Sequence, residues 1–288
     1  MTQKNVLTVS GLSIAVGDEE GDRSLVRDVN FSLAEGRTIG IVGESGSGKT
    51  LTSLALMGLL SHPLKVTSGS IKLAGEELVT ASEQRMRELR GNRIAMVFQE
   101  PMTSLNPVLT IGYQLSEALM VHSGCSRKTA LEKAVKLLER VKIPNAQVRV
   151  KSYPHELSGG MRQRVMIAMA MMCDPKVIVA DEPTTALDVT VQAEVLMLLK
   201  DLQREFQTAV VFISHDLGVI GDVCDDVMVM YRGDVVETGT VTDVLKNPKH
   251  AYTAALLAAR PAFHRGDQAH LLNQKKRLAD LNSLMEAS

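Results

Sequence analysis

The 288-residue sequence predicts an α/β fold in which a mainly parallel sheet is covered by helices. The first observation is a predicted strand, Thr38–Val42, that leads through a glycine-rich loop into a helix beginning at Lys49. The second is the C-terminal half, where short apolar runs of the buried type alternate with helical segments. Parallel strands need such crossovers, so both patterns indicate the same architecture.

Hydrophobic periodicity assigns the elements in chain order. The helix that begins at Lys49 should end before Pro63, because proline removes a helical hydrogen bond. Between Arg127 and Lys142, apolar residues recur at helical spacing, which predicts a helical insertion in the α/β domain. The predicted strands are 6–14, 29–33, 38–42, 94–98, 177–180, 209–213 and 227–231, and a later helix is expected over 191–202.

Composition excludes several classes of protein. Thirty-two basic and 33 acidic residues give a net charge of -1, unlike the basic surface of a nucleic-acid-binding protein. The longest apolar stretches fall far short of the roughly 18 residues that cross a bilayer, and residues 1–10 lack a secretory signal. The three widely spaced cysteines suit reduced thiols and form no metal-ligand cluster. We therefore expect a cytoplasmic protein with no nucleic-acid partner.

The glycine-rich loop reads GESGSGKT, two glycines separated by four residues and followed by lysine and threonine. Between a strand and a helix, such a loop turns backbone N–H groups toward phosphate oxygens, and the helix N-terminus adds partial positive charge. Lys49 is expected to contact the β and γ phosphates, and Thr50 to ligate Mg2+. The predicted nucleotide-binding residues of this loop are Gly43, Glu44, Ser45, Gly46, Ser47, Gly48, Lys49 and Thr50. The loop alone does not distinguish a kinase, a GTPase and a transporter ATPase.

Two further motifs point to phosphate chemistry. Ser158, Gly159 and Gly160 precede a helical run, and a helix N-terminus favours a bound phosphate. An apolar strand ends in two carboxylates, Asp181 and Glu182. Beside a phosphate loop, this pair predicts a magnesium ligand followed by the general base that activates water.

In this order the motifs resemble those of ABC transporter ATPases, namely the phosphate loop, the signature motif 157–161 and the Walker B segment 177–183. The resemblance covers about residues 5–262. It implies a P-loop NTPase (RecA-like) core, an N-terminal antiparallel β subdomain and a helical subdomain inserted at about 102–172. The ATPase domain would then span residues 1–262, with a short C-terminal extension at 263–288.

The resemblance also implies a composite active site and gives roles to single residues. In that family, ATP on one subunit's phosphate loop meets the signature motif of a second subunit. Gln99 resembles the glutamine that contacts magnesium and the attacking water, His215 resembles the switch histidine at the γ phosphate, and Asp188 would lie at the dimer seam. The expected catalytic residues are Glu182, His215 and Gln99, and the expected magnesium ligands are Thr50, Gln99 and Asp181.

Segments 100–107 and 249–257 resemble the dipeptide, oligopeptide and nickel importer branch of the family. They imply a subunit that energises a bacterial importer of di- or oligopeptides, with nickel or another small solute as the alternative. The implied partners are a second ATP-binding subunit (identical or related), two transmembrane permease subunits and, indirectly, an extracytoplasmic solute-binding protein. The permease subunits would hold this chain at the cytoplasmic face of the bacterial inner (cell) membrane.

Two departures from the family and one competing class complete the sequence-based expectations. No cysteine follows residue 261, so we expect no iron–sulfur cluster of the kind many members of this branch carry. Val16 stands where the family usually stacks an aromatic ring on adenine. A soluble ABC ATPase of DNA repair is less favoured, because a long coiled coil and zinc-binding cysteine pairs are missing from the sequence.

Overall fold

Two β-sheets organise the part of the chain that the computed structural model describes, residues 4–18, 21–99, 104–184 and 187–258. Strands β1–β5 span Asn5–Asp18, Gly21–Ala34, Thr38–Val42, Leu64–Leu73 and Glu76–Glu77. Strands β6–β10 span Ile94–Val97, Val177–Asp181, Ala209–Ser214, Asp226–Tyr231 and Asp234–Thr240. The first sheet is antiparallel in the order β2-β1-β4-β5, and the second has the order β10-β9-β3-β8-β7-β6.

The second sheet is parallel except for its edge strand β10, which pairs antiparallel with β9. Helices α1–α10 span Lys49–Leu56, Glu83–Leu89, Ile111–Ser123, Arg127–Arg140, Ala146–Arg149, Gly159–Met171, Val189–Phe206, Leu217–Val223, Val241–Lys246 and Ala251–Ala258. A single 3-10 turn, Pro154–Glu156, precedes α6. Strands β3, β7 and β8 are buried along their whole length, as expected for parallel strands that are covered on both faces.

The first two strands are longer than the sequence predicts. Instead of two separate runs at 6–14 and 29–33, β1 and β2 form one hairpin in which Leu12 faces Val29 and Asp18 faces Gly21. Most of β2 is exposed and carries polar residues, so the strand lacks the apolar run that predicts a buried strand. Several register shifts mark bulges that let the hairpin bend.

Helix α1 ends earlier than predicted, at Leu56 rather than just before Pro63. The chain leaves the helix through Gly58, whose φ of 60° is left-handed, and Leu59 donates its N–H to the Leu54 carbonyl. The helix thus stops before Pro63, as predicted, but a glycine cap ends it before the proline is reached, and Gly58 lies beyond the helix.

The helical insertion lies between β6 and β7, and contains α3 to α6. Serine and threonine caps begin three of its helices: Thr110 accepts from Tyr113 N–H, Ser126 from Thr129 N–H and Ser158 from Met161 N–H. Residues 100–103 lie outside the described residues, so the boundary at about 102 stays a prediction, as does the extension at 263–288.

Two apolar clusters flank the parallel sheet. Val177 and Val179 of β7 pack in the cluster shared with the antiparallel sheet, whereas Ile178 and Ala180 pack in the cluster shared with the helical insertion. This alternation fixes the register of β7 and places its last residue at the carboxyl edge of the sheet. Within the described ranges, no helix is both long and apolar enough to span a bilayer.

Candidate active site

Four adjacent parallel strands deliver the predicted site residues to one edge of the sheet. The phosphate loop follows β3, His215 follows β8, Asp181 ends β7, and Gln99 lies two residues beyond β6. Because the carboxyl ends of parallel strands share an edge, residues far apart in sequence converge there.

The phosphate loop needs glycine at two positions for different reasons. Gly48 caps α1 with φ 103°, a left-handed conformation that L side chains rarely adopt. A Cβ atom on Gly43 would lie 2.1 Å from the Met230 carbonyl oxygen, so backbone packing leaves no room for a side chain. The loop shape therefore depends on both ends of the predicted motif.

Lys49 holds the loop together from inside. Its Nζ donates to the carbonyl oxygens of Gly43 at 2.8 Å and Glu44 at 2.9 Å, and the residue is 5% exposed. Burial lowers the pKa of Lys49, against the attraction of the carboxylates of Glu182, Asp181 and Glu44. An arriving phosphate would give this buried ammonium an anion in direct contact.

Asp181 is also 5% exposed and carries an orphaned oxygen. Its Oδ2 accepts a hydrogen bond from Ser53 Oγ at 3.1 Å, while Oδ1 is buried without a hydrogen-bond partner among the described residues. Burial raises the pKa of Asp181, as does the Glu182 charge, although hydrogen bonds from Ser53 and Thr50 and the Lys49 charge oppose this shift. A hard cation would satisfy this oxygen, so the site fits Mg2+.

Glu182 turns away from the strand and into the cleft. It has φ 46°, and its N–H donates to the Ile213 carbonyl at 3.0 Å, which ties the turn to β8. Its Oε2 lies 3.2 Å from His215 Nδ1 and accepts from Gln99 Nε2 at 3.4 Å. The side chain of Glu182 is 17% exposed and that of His215 62%. The structure thus brings the three predicted catalytic residues together.

These residues face one cleft of about 360 Å3. Its lining residues are Ser45, Gly46, Gly48, Lys49, Thr50, Leu51, Gln99, Glu182 and His215. Among the described residues, the lining includes neither Val16 nor the signature motif. Val16 lies in β1, where it pairs with Arg23 and Leu64, and its predicted place beside adenine stays a prediction.

The signature motif forms a separate, outward-facing helix start. Ser158 caps α6 by accepting the Met161 N–H at 3.3 Å, and both Ser158 and Gly159 are exposed. A Cβ atom on Gly159 would meet nothing within 4 Å, whereas one on Gly160 would lie 2.6 Å from Val191 Cγ1. This open N-terminus suits an anion that another molecule brings.

Asp188 lies close to the signature helix. It caps α7 by accepting the N–H of Val191, at 3.0 Å, and its side chain is exposed. Val191 is also the residue that packs against Gly160, so the caps of α6 and α7 are neighbours. The predicted dimer-seam residue and the signature motif therefore lie in one exposed region.

Two residues of the site, Ser53 and Tyr252, were not predicted from the sequence motifs. Ser53 contacts Asp181, and helical spacing three residues after Thr50 is a signal that would have suggested it. Tyr252 accepts the Glu44 N–H at 3.1 Å, and nothing local in the sequence places it near the phosphate loop.

The chain matches models of known protein families. A family model described as ABC transporter matches residues 26–185, more than half of the chain. The chain belongs to the ABC transporter family. A second model, described as the oligopeptide/dipeptide transporter C-terminal region, matches residues 236–285 of this ABC transporter chain.

Curated relatives support the assignment. The oligopeptide transport ATP-binding protein OppD of Salmonella typhimurium is 52% identical over 256 residues, which is 89% of this chain and 76% of OppD. OppD of Escherichia coli is 51% identical over the same length. The glutathione import ATP-binding protein GsiA of Escherichia coli is 51% identical over 263 residues, and the chain spans 42% of GsiA.

Solved structures agree with the fold. A dimeric, post-hydrolysis structure of the ATP-binding cassette MJ0796 bound to ADP and Pi matches with TM-score 0.72 and 26% identity, covering 82% of this chain and 98% of that one. The cbiO1 structure from Clostridium perfringens matches with TM-score 0.72 over 99% of this ABC transporter chain and 100% of its own, and at 24% identity it shows the fold alone. The predicted P-loop fold and ATPase activity are confirmed, and the roles of single residues stay predictions.

Proposed function

We propose that this ABC ATPase closes on a second ATP-binding subunit around ATP and thereby energises the import of di- or oligopeptides. One observation carries the mechanism. The cleft contains the phosphate loop and Glu182, while the anion-binding signature motif 158–160 is exposed elsewhere on the same chain. A nucleotide in the cleft would meet a signature motif only when a second subunit supplies it.

Within one subunit, the cleft supplies binding and base catalysis. Loop N–H groups and the Lys49 ammonium bind the β and γ phosphates. The Glu182 carboxylate accepts a proton from water as the water oxygen bonds to the γ phosphorus, and the bond to the bridging oxygen breaks to release ADP. The contacts of Gln99 and His215 with Oε2 orient this carboxylate.

Thr50, Asp181 and Gln99 are proposed to hold Mg2+. The support is the buried, unpartnered Oδ1 of Asp181 and the Thr50 hydroxyl beside the same carboxylate. When bound, the ion neutralises charge on the phosphate oxygens. Burial disfavours the charged form of the Asp181 carboxylate, and a bound cation would offset that cost.

The partners follow from the relatives and from the exposed signature motif. The second ATP-binding subunit is a copy of this chain or a related ATPase, since one phosphate loop and one signature motif fit either. Two permease subunits would hold the pair at the cytoplasmic face of the membrane, and a solute-binding protein would deliver the solute to them. The importer role rests on the relatives' names, OppD and GsiA.

The substrate class rests on two findings. The C-terminal family model at 236–285 is that of oligopeptide and dipeptide transporters, and the OppD relatives are oligopeptide transport proteins. Nickel or another small solute is the second candidate, because the segment 249–257 resembles a branch that also contains nickel importers.

Uptake by the source bacterium tests the substrate. We expect deletion of the gene to abolish uptake of a radiolabelled tripeptide, the wild-type gene to restore it, and Lys49→Ala, expressed at the same level, to leave it absent. Nickel uptake should be unchanged throughout. Loss of nickel uptake with normal tripeptide uptake would show that the substrate assignment is wrong.

A further inference from the structure

A hydrogen bond joins the C-terminal part of the described chain to the phosphate loop. The hydroxyl of Tyr252, in α10, accepts the Glu44 N–H at 3.1 Å. On the other side of the same residue, the Glu44 carbonyl accepts from Lys49 Nζ at 2.9 Å. Tyr252 therefore holds the first turn of the loop from outside, and Lys49, the proposed phosphate ligand, holds it from inside.

The Tyr252 ring is itself held in place. It is 2% exposed, and its centroid lies 4.3 Å from that of Tyr231 at an interplanar angle of 40°. Just beyond Tyr231, the turn between β9 and β10 reaches the loop a second time, where Gly233 N–H donates to the Ser47 carbonyl at 3.1 Å. The hairpin and α10 thus support the loop together.

The start of α10 is anchored to β10. Glu237 accepts the N–H groups of Lys249 at 2.8 Å and His250 at 3.1 Å. His250 Nδ1 in turn accepts the Tyr252 N–H at 3.1 Å. A chain of hydrogen bonds therefore runs from β10 through the first turn of α10 to the phosphate loop.

We propose that Tyr252 is a positioning residue of the nucleotide site, and that through it the segment 237–258 sets the affinity of the loop for ATP. This inference rests on the proposed function, because ATP must bind at this loop for its shape to matter. Holding Glu44 in place before the nucleotide arrives reduces the conformational freedom lost on binding. Burial raises the pKa of Tyr252 to about 12, so its hydroxyl stays neutral at working pH.

Calorimetric titration of the purified full-length chain with ATP tests the proposal. Tyr252→Phe keeps the ring and removes the hydroxyl, and we expect ATP to bind about fivefold more weakly, the factor that corresponds to about 1 kcal/mol for one hydrogen bond. The turnover number at saturating ATP should change by less than about twofold, because the hydroxyl touches none of the reacting groups.

Tyr113→Phe is the matched control, because it removes the same hydroxyl from a tyrosine of α3. Tyr113 lies in the helical insertion and is not among the residues that line the cleft. We expect this variant to bind ATP as the wild type does. Wild-type affinity in Tyr252→Phe, or an equal loss in Tyr113→Phe, would overturn the proposal.

Lys49→Ala separates this proposal from the proposed function. If the wild type binds ATP and Lys49→Ala does not, the loop is the nucleotide site, and an unaffected Tyr252→Phe would then contradict the positioning role alone. If Lys49→Ala binds ATP as well as the wild type, the assignment of the loop itself fails.

Discussion

Asp181 and Glu182 are neighbours in the chain, yet the structure gives their carboxylates different surroundings. Asp181 ends a buried strand and has one oxygen on Ser53, whereas the positive φ of Glu182 directs its side chain to the cleft beside His215. Different surroundings give two adjacent carboxylates different chemistry. The geometry suits Asp181 to a cation and Glu182 to a water molecule.

Ser53→Ala tests the support of the proposed magnesium site. The substitution removes the donor to Asp181 Oδ2, and because that hydrogen bond lowers the pKa of Asp181, its loss raises the pKa further. Loss of such a supporting contact typically weakens metal affinity 10- to 100-fold. We expect the Mg2+ concentration for half-maximal ATPase activity to rise about tenfold.

Ser116→Ala is the control for this measurement. Ser116 is a buried serine of α3 whose Oγ has no hydrogen-bond partner among the described residues. Its substitution should leave the Mg2+ dependence as it is in the wild type. An unchanged Mg2+ dependence in Ser53→Ala would show that Ser53 does not support a metal ligand.

At the residue scale, local chemistry could be predicted from the sequence and long-range support could not. The phosphate loop and the Asp181–Glu182 pair are short motifs, and their residue spacing alone predicts a phosphate-binding site. Ser53 and Tyr252 act across 128 and 208 residues of chain, on Asp181 and Glu44 respectively. Such pairings depend on strand order, and periodicity gives no information about it.

At the scale of elements, the signature helix α6 begins with two glycines in different environments. A methyl group on Gly160 would press on Val191 of α7, whereas one on Gly159 would face open space. Crowding a packed interface typically costs about 1–3 kcal/mol, and replacing glycine by alanine in a helix gains up to about 1 kcal/mol.

Chemical denaturation of Gly159→Ala and Gly160→Ala measures this difference. We expect the free energy of unfolding to fall by about 1 kcal/mol for Gly160→Ala, which is the crowding cost less the helix gain, and not to fall for Gly159→Ala. Equal stability of the two variants would contradict the packing of α6 on α7.

The N-terminal anchor of α10 gives a pH-dependent prediction. Burial raises the pKa of Glu237, but the Lys249 N–H, the Thr253 hydroxyl and the His250 N–H together outweigh it, and the net pKa lies below the usual 4.5. A carboxylate with a lowered pKa in the folded state stabilises the fold above its ordinary pKa and loses this contribution as pH falls through the folded-state pKa.

We therefore expect Glu237→Gln to be about 2 kcal/mol less stable than the wild type at pH 7, with a smaller difference below about pH 4.5. Thermal melts across this pH range measure it. Glu117→Gln, on the exposed face of α3, serves as the control and should change stability by less than about 0.5 kcal/mol. A stability difference that stays constant with pH would refute the anchor.

The elements themselves were predicted unevenly, for a physical reason. The buried strand Thr38–Val42 was predicted with its observed ends, because the glycine-rich loop that begins at Gly43 marks where the strand stops. Strand Gly21–Ala34 was predicted too short because most of it is exposed, and α1 too long because Gly58 ends it. Buried parallel strands can be predicted from their apolar composition. The ends of exposed strands and of glycine-capped helices depend on contacts with neighbouring elements, which the local sequence does not show.

For the whole molecule, strand order separates the two parts of the proposed nucleotide site. The carboxyl ends of β3, β8, β7 and β6 form the cleft, and the signature motif faces solvent at the start of α6. Gly159→Ala should thus separate folding from function. The variant stays folded, while a methyl group at the exposed motif hinders a partner's nucleotide and lowers ATP turnover more than tenfold.

The central claim is that two subunits close around ATP and that Glu182 is the base that ends this closed state. Its most direct test measures phosphate release and molar mass in solution together, with and without ATP, for the wild type and Glu182→Gln. The second ATP-binding subunit is added if the wild type is inactive alone. We expect Glu182→Gln to lose turnover at least 100-fold and to accumulate as an ATP-dependent dimer. Full turnover in Glu182→Gln, or an inactive variant that stays monomeric with ATP, would contradict the account.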